Sequence, residues 1–276
     1  MVPVDASQWT AYANNMFIYA KRLALVTGAS SGIGSAFAKE LARRGMDLIL
    51  TARSKEALEA TAKSLKASYD VDVTVIPADL SDKKSLEKLL ASIEAQKLHV
   101  DLLINNAGFG SIGPFAASES TLQRGQIDLN IGALVELSRA FLPAMIDCRS
   151  GGIINVASTA AFQPVPYMSV YSATKAFVVS FSEALAVECQ DDNVAVVALC
   201  PGPTNTSFFK RATPNDLLFK NLRSPEQVVA AGLAGLERGQ TVVVDGLVNG
   251  LQAQLSKFAP RKLSAKIAGS ITRPKK

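Results

Sequence analysis

A chain of 276 residues that is 48% apolar has the material for one sizeable core and too much apolar character for intrinsic disorder. Its formal charge of +5 is unevenly placed, because seven cations and no acid follow Leu255 and the rest of the chain is slightly acidic; this argues against a nucleic-acid-binding fold. One histidine and three cysteines (Cys148, Cys189 and Cys200) with no CxxC pair exclude a disulfide framework, speak against a metal site, and make a reducing, cytoplasmic setting the expectation.

Residues 1–22 read as an N-terminal extension. They lack a basic segment followed by a clean apolar run, so no secretory signal is expected, and no window approaches 18 uninterrupted apolar residues. From residue 23 short apolar runs alternate with longer amphipathic ones. Strands are expected at LALVTG (23–28), DLILTA (47–52), VDVTVIP (71–77), DLLIN (101–105), GGIINVAS (151–158), NVAVVALC (193–200) and TVVVDG (241–246). Between them, helices are expected from Gly32 to Arg44, over 54–69 with Leu58, Ala62 and Leu65 on one face, and over 81–96 with Asp82 or Ser81 as cap. Apolar strands spaced by helices predict an α/β fold: a single domain over 23–246 with a doubly wound, Rossmann-type parallel sheet of seven strands in the order 3-2-1-4-5-6-7. Ligands should then lie at the carboxyl edge, where the order reverses between strands 1 and 4.

That edge opens with VTGASSGIGSAFAKELA. Gly28, Gly32 and Gly34 suit a turn without Cβ obstruction, followed by a helix whose first amides face a pyrophosphate; Ser30, Ser31 and Ile33 complete the loop. No Gly-Lys-Ser/Thr follows, which removes the usual handle of phosphoryl transfer. Where an NAD-selective protein places a carboxylate, this chain has Ala52 and then Arg53, whose guanidinium suits a 2′-phosphate, with Ser54 and Ser30 as added hydroxyls. NADP(H) is therefore the expected cofactor. Asp79 can either cap the next helix or accept from an adenine amino group, with Leu80 packed near the ring. Asn105 is expected to tie neighbouring strands, and Asn106, Ala107 and Gly108 to line the ribose.

Tyr171 and Lys175 are four apart on a helix and share a face. A phenol is a poor base at neutral pH, and an adjacent ammonium is expected to lower its pKa. Tyr167 has no lysine four residues on and reads as a pocket wall. Ser158 ends the fifth strand, either as a plain strand terminus or as a donor to a developing oxyanion. Asn130, in DLNIGA of the fourth helix, is a polar amide among apolar neighbours, satisfied locally or binding a water that links Lys175 to solvent. A serine hydrolase is disfavoured, because His99 precedes strand 4 at the opposite edge and Ser158 has no Gly-x-Ser-x-Gly elbow.

TGASSGIG (27–34), DL (79–80), NNAG (105–108), Asn130, Ser158, YSATK (171–175) and PGPTNT (201–206) together resemble the short-chain dehydrogenase/reductase family. The resemblance implies a carbonyl–alcohol oxidoreductase in which Asn130 supports a water relay, Ser158 orients the carbonyl, Tyr171 is the acid/base, and Lys175 positions ribose and activates Tyr171. It also implies that Pro201, Gly202, Thr204 and Thr206 lie against the nicotinamide side, and that subunits pair through the long helices after strands 4 and 5. A homodimer is expected, or a tetramer if the outer strand stays accessible. The rival is a catalytically weak dinucleotide-binding regulatory or scaffold protein, which would be expected to lose Tyr171 or Lys175; both are intact.

Phe162, Val165, Tyr167, Met168, Phe208, Phe209, Leu217, Leu218 and Phe219 suggest a hydrophobic ketone or acyl substrate, or a lid packed on its own protein; Lys210, Arg211, Lys220 and Arg223 either anchor an anionic tail or face water. Residues 247–276 read as a basic amphipathic extension. Leu247, Leu251, Leu255 and Phe258 predict one apolar helical face, Pro260 a stop, and LSAKIAGSI a second stretch. That face is expected to pack against protein rather than to meet a membrane surface.

Overall fold

The computed structural model describes residues 17–206, 222–258 and 260–274. Strands β1 (Leu23–Thr27), β2 (Asp47–Thr51), β3 (Val73–Val75), β4 (Leu102–Asn105), β5 (Gly151–Val156), β6 (Val194–Cys200) and β7 (Val242–Val244) form one sheet, ordered β3-β2-β1-β4-β5-β6-β7. Every pairing is parallel, as the expected order requires. β3 is shorter than its apolar run because Pro77 has no N–H to give, although Ile76 and Ala78 still donate to Leu50 and Ala52.

Alternation along the strands divides the core. Ala24, Val26, Leu48 and Leu50 face α1 (Gly32–Arg43), α2 (Lys55–Ser68) and α7 (Pro225–Glu237), meeting Phe37, Leu41, Leu58 and Leu233. Leu25, Ile49, Leu103 and Ile153 face the other layer, where Leu86 and Leu89 come from α3 (Lys83–Ala95), Leu137 from α5 (Leu134–Asp147) and Leu185 from α6 (Ser169–Glu188). Each fully buried side chain of this size contributes about 1.5–3 kcal/mol, which makes the central strands the firmest part of the molecule. The helical run Ser120–Asp147 and α6 are long and apolar enough by composition to cross a bilayer, yet both pack on the sheet through Leu137, Met145, Val178 and Leu185. Asp82 caps α3 by accepting from Lys84 N (3.2 Å).

The C-terminal extension forms α8 (Leu247–Phe258) and α9 (Arg261–Thr272), with Pro260 between them. Within one chain its large apolar rows are not covered. α8 turns the small Ala253 inward and leaves Leu247, Leu251 and Leu255 exposed; α9 buries Ser264 and Ala268 and leaves Leu263, Ile267 and Ile271 outside. Small residues permit close approach of each helix to the domain, so the large apolar rows end up on the other side. The side chain of Phe258 lies outside the described residues, as do Phe208, Phe209, Lys210, Arg211, Leu217, Leu218, Phe219 and Lys220.

Candidate active site

The glycine loop is built by sterics. Gly28 (φ +66°) and Gly32 (φ +59°) occupy the left-handed region, and a Cβ on Gly34 would strike the Gly28 carbonyl oxygen and come 2.5 Å from Asn106 Nδ2. Ser31, at the N-cap of α1, makes no side-chain cap bond, so no hydroxyl closes the start of that helix. Thr27 ties the loop to its neighbour. Its hydroxyl accepts from the backbone amides of Asn106 and Ala107 (2.9 Å each) and donates to the Ile104 carbonyl (3.0 Å), while Asn106 Nδ2 donates to Thr27 O (2.8 Å). Asn105 bonds Asn155 of β5 (2.9 Å) and Ser138 (3.1 Å), the strand-tying role expected of it.

A cleft of about 450 Å³ runs along the carboxyl edge. It collects Gly28, Ser30, Ser31, Gly32 and Ile33 from the loop, Ala52, Arg53 and Ser54 after β2, Asp79 and Leu80 after β3, and Asn106, Ala107 and Gly108 after β4. Ser158, Tyr171, Lys175, Pro201, Gly202, Thr204 and Thr206 line its other end. Gly34 and Asn130 stand behind this lining. An unobstructed turn leading into an uncapped helix start fits a dinucleotide pyrophosphate. At the far end Arg53 is exposed and makes no ion pair among the described residues. Two expected contacts are partly taken. Ser54 caps α2 by accepting from Ala57 N (3.2 Å) and donates to Glu56, and one Asp79 oxygen accepts from the amide and hydroxyl of Ser81 (3.0 and 2.6 Å). Both are helix-entry residues, where short polar side chains fold back on the backbone.

At the near end α6 presents Tyr171 and Lys175, both buried. The Tyr171 phenol hydrogen-bonds Ser158, whose Oγ also accepts from Ala160 N (3.1 Å). Lys175 Nζ donates to the Val156 carbonyl (2.6 Å) and lies 5.9 Å from the Tyr171 ring centre. The expected lowering of the phenol is reversed here. Burial pushes Tyr171 up to about 12, only partly opposed by Ser158, and pulls the Lys175 ammonium down to about 8. Spacing placed the two residues on one face, but it held no information about how dry that face would be.

Asn130 sits in a π-helical turn, Asp128–Ala133, between α4 (Ser120–Ile127) and α5. Such turns add a residue to the helix and are frequent at functional sites. Here the side chain is fully engaged. Oδ1 accepts from Phe109 N (3.1 Å), and Nδ2 donates to Phe109 O (2.9 Å) and Thr174 Oγ1 (3.1 Å). Thr174 in turn donates to Tyr171 O (2.7 Å). The backbone at Gly108 passes so close that a Cβ there would come 2.9 Å from Asn130 Oδ1 and 3.5 Å from Lys175 Nζ. Asn130 thus holds the chain beside Lys175, and the local-satisfaction alternative describes its amide.

Tyr171 is walled by Val165, Met168 and Ala268, with Ile112 and Ala160 at the margin. Tyr167 does not line the cleft; its backbone is left-handed (φ +65°) and its carbonyl accepts from Gly113 N. Behind the nicotinamide end, Thr204 Oγ1 donates to Gly202 O (2.9 Å), and Gly202 is packed so tightly under Asn249 of α8 that a Cβ has no room. Arg223 is not a free anchor, since its guanidinium pairs both oxygens of buried Asp245 (2.8 and 2.9 Å). Sequence reading missed Thr27, Asn155 and Thr174. The first two are polar residues inside apolar strands, a signal that was present and unused.

Fold and site together define a dinucleotide-binding α/β protein with a Ser-Tyr-Lys cluster at the mouth of its cleft. The sequence profile of the short chain dehydrogenases matches residues 22–217, and the chain belongs to that family. It is 30% identical over 252 residues to very-long-chain 3-oxoacyl-CoA reductase-B of Danio rerio, covering 90% of this chain and 75% of that one. A short-chain dehydrogenase from Sphingobium yanoikuyae, solved in complex with NADPH, superposes with a TM-score of 0.77 at 33% identity, covering 87% of this chain and 97% of the other. The bulky-bulky ketone specific alcohol dehydrogenase from Comamonas testosteroni does so with a TM-score of 0.74 at 30% identity, covering 87% and 95%.

Proposed function

We propose that the protein is an NADP(H)-dependent oxidoreductase that interconverts a hydrophobic ketone or acyl carbonyl and the corresponding secondary alcohol. The observation that carries this reading is the cluster of Ser158 with buried Tyr171 and Lys175, opening onto the glycine-loop cleft. When bound, the nicotinamide cofactor supplies the hydride. Ser158 offers a hydroxyl to the carbonyl oxygen, and Tyr171, kept protonated by its burial, gives that oxygen its proton. The resulting phenolate is stabilised by the nearby Lys175 ammonium. Oxidation runs the same path backwards.

Arg53 beside Ala52, with no carboxylate to repel a 2′-phosphate, supports NADP(H) over NAD(H). So do relatives of known structure that hold NADPH or NADP. Phe109 and Leu129 in the cleft lining support a hydrophobic substrate, as do the substrates in the names of the Danio and Comamonas proteins. Loss of NADPH absorbance with aliphatic, aromatic, steroid-like and sugar carbonyls is the test. Turnover of hydrophobic ketones is expected, and a strong preference for small sugars would overturn the substrate class. We place the protein in the cytoplasm, where its unpaired cysteines would stay reduced. A homodimer through the helices bearing Ile127, Phe177 and Val187, all exposed, completes the reading; light scattering at single-chain mass would refute it.

A further inference from the structure

We infer that the outer face of α8 and α9 is a docking surface for an anionic phospholipid bilayer. On α8, Leu247 is 95% exposed, Leu251 63% and Leu255 59%, at intervals of four residues along one stripe. On α9, Leu263, Ile267 and Ile271 repeat the pattern, with Ile267 56% exposed. Scattered surface leucines are ordinary, but six large apolar side chains in two helical rows on consecutive helices are not. An aqueous surface gains nothing from this arrangement.

Charge selects the occupant. No acidic residue follows Asp245, whereas Lys257, Arg261, Lys262, Lys266, Arg273, Lys275 and Lys276 do. Lys262 and Lys266 are exposed, and each immediately precedes an apolar member of the α9 row, so its ammonium flanks the stripe about 100° round the helix. Apolar rows flanked by cations, with long stems able to lie along apolar surface, suit the headgroup boundary of an anionic membrane. A second copy of this chain suits the same face poorly. A two-fold interface sets a patch against itself, and these helices would meet cation to cation with no acid to answer. The inner side of α9 meanwhile puts Ala268 in the apolar cluster that holds Tyr171 and hydrogen-bonds Pro166 O through Thr272 Oγ1 (2.7 Å). One helix therefore touches the reacting end of the site with one side and lipid with the other.

The surface is tested without substrate or cofactor, so its failure is separate from failure of the proposed reaction. The full chain is sedimented with vesicles of phosphatidylcholine alone and of phosphatidylcholine with roughly a quarter phosphatidylglycerol. Binding to the anionic vesicles is expected, weakening as salt rises and the Debye length shrinks. Leu251→Asp should reduce it about 10-fold or more, and so should the Lys262→Glu/Lys266→Glu pair, whose exposed side chains leave the core intact. Failure of the full chain to bind anionic vesicles, or undiminished binding by the Lys262→Glu/Lys266→Glu chain, would overturn the inference. So would light scattering in which Leu251→Asp splits an oligomer, because the face would then belong to a second copy.

Discussion

The two ends of the cleft are made differently. At the reacting end, Asn130, Thr174, Lys175 and Tyr171 are buried, and backbone carbonyls and amides fix nearly every polar atom before any ligand arrives. At the selectivity end, Arg53 and Ser54 are exposed, and Arg53 is held by no ion pair among the described residues. Chemistry that needs a proton at a fixed atom is given rigid, desolvated groups. Recognition of a charged substituent is left to a long side chain in water, which can close on its target when that target is present.

The sharpest break in this contrast is Tyr171→Phe. It removes one hydroxyl from a packed apolar wall, so the variant should fold and bind NADPH while turnover falls about 100-fold or more. Steady-state kinetics on any carbonyl the parent reduces, alongside a cofactor titration, separates the two effects. Retained turnover would remove the phenol from the mechanism.

A second, smaller effect reads the dryness of the same end. The Lys175 ammonium has its pKa pulled down to about 8 from the ordinary 10.5 by burial. Between those values the folded chain has released the proton and the unfolded chain still holds it, so the unfolded state binds more protons and stability rises with pH across that window. The raised phenol of Tyr171 acts in the other direction only above its ordinary value of 10.0, where the unfolded chain ionises first. Denaturant unfolding from about pH 8 to 9 should therefore show stability rising by about 1 kcal/mol, a slope that Lys175→Met abolishes; above about pH 9 the raised thiols of Cys189 and Cys200 pull the other way. An identical slope in both proteins would mean that Lys175 is better solvated than its burial indicates.

The mildest change falls at the exposed end. Arg53→Ala should narrow the preference for NADPH over NADH by about 10-fold, the scale of one charge-assisted contact, and leave stability untouched. Ala52→Asp should move preference further toward NADH. Calorimetric titration of both cofactors into both variants measures this, and equal affinities in the parent would defeat the NADP(H) reading.

Much of the fold could be read in the sequence because each part had a local cause. Strand order followed from apolar runs, helical spacers and the handedness of parallel connections, and the glycine turn from residues that only a crowded loop requires. What depended on distant packing could not be read. DLNIGA carries no sign that its turn is π-helical, because the extra residue is held by Phe109 and Thr174, 21 and 44 residues away. The direction of the Tyr171 shift depended on its burial, which residue spacing does not carry. The outward placement of Leu251 depended on which side of α8 was small enough to sit over Gly202.

Ala268 also fixes an order of events. The sheet, the glycine loop and all four reacting side chains are complete by residue 246, yet the apolar cluster that holds Tyr171 also draws on α9, which follows them in the chain. A chain under synthesis therefore has all seven strands before that cluster can close.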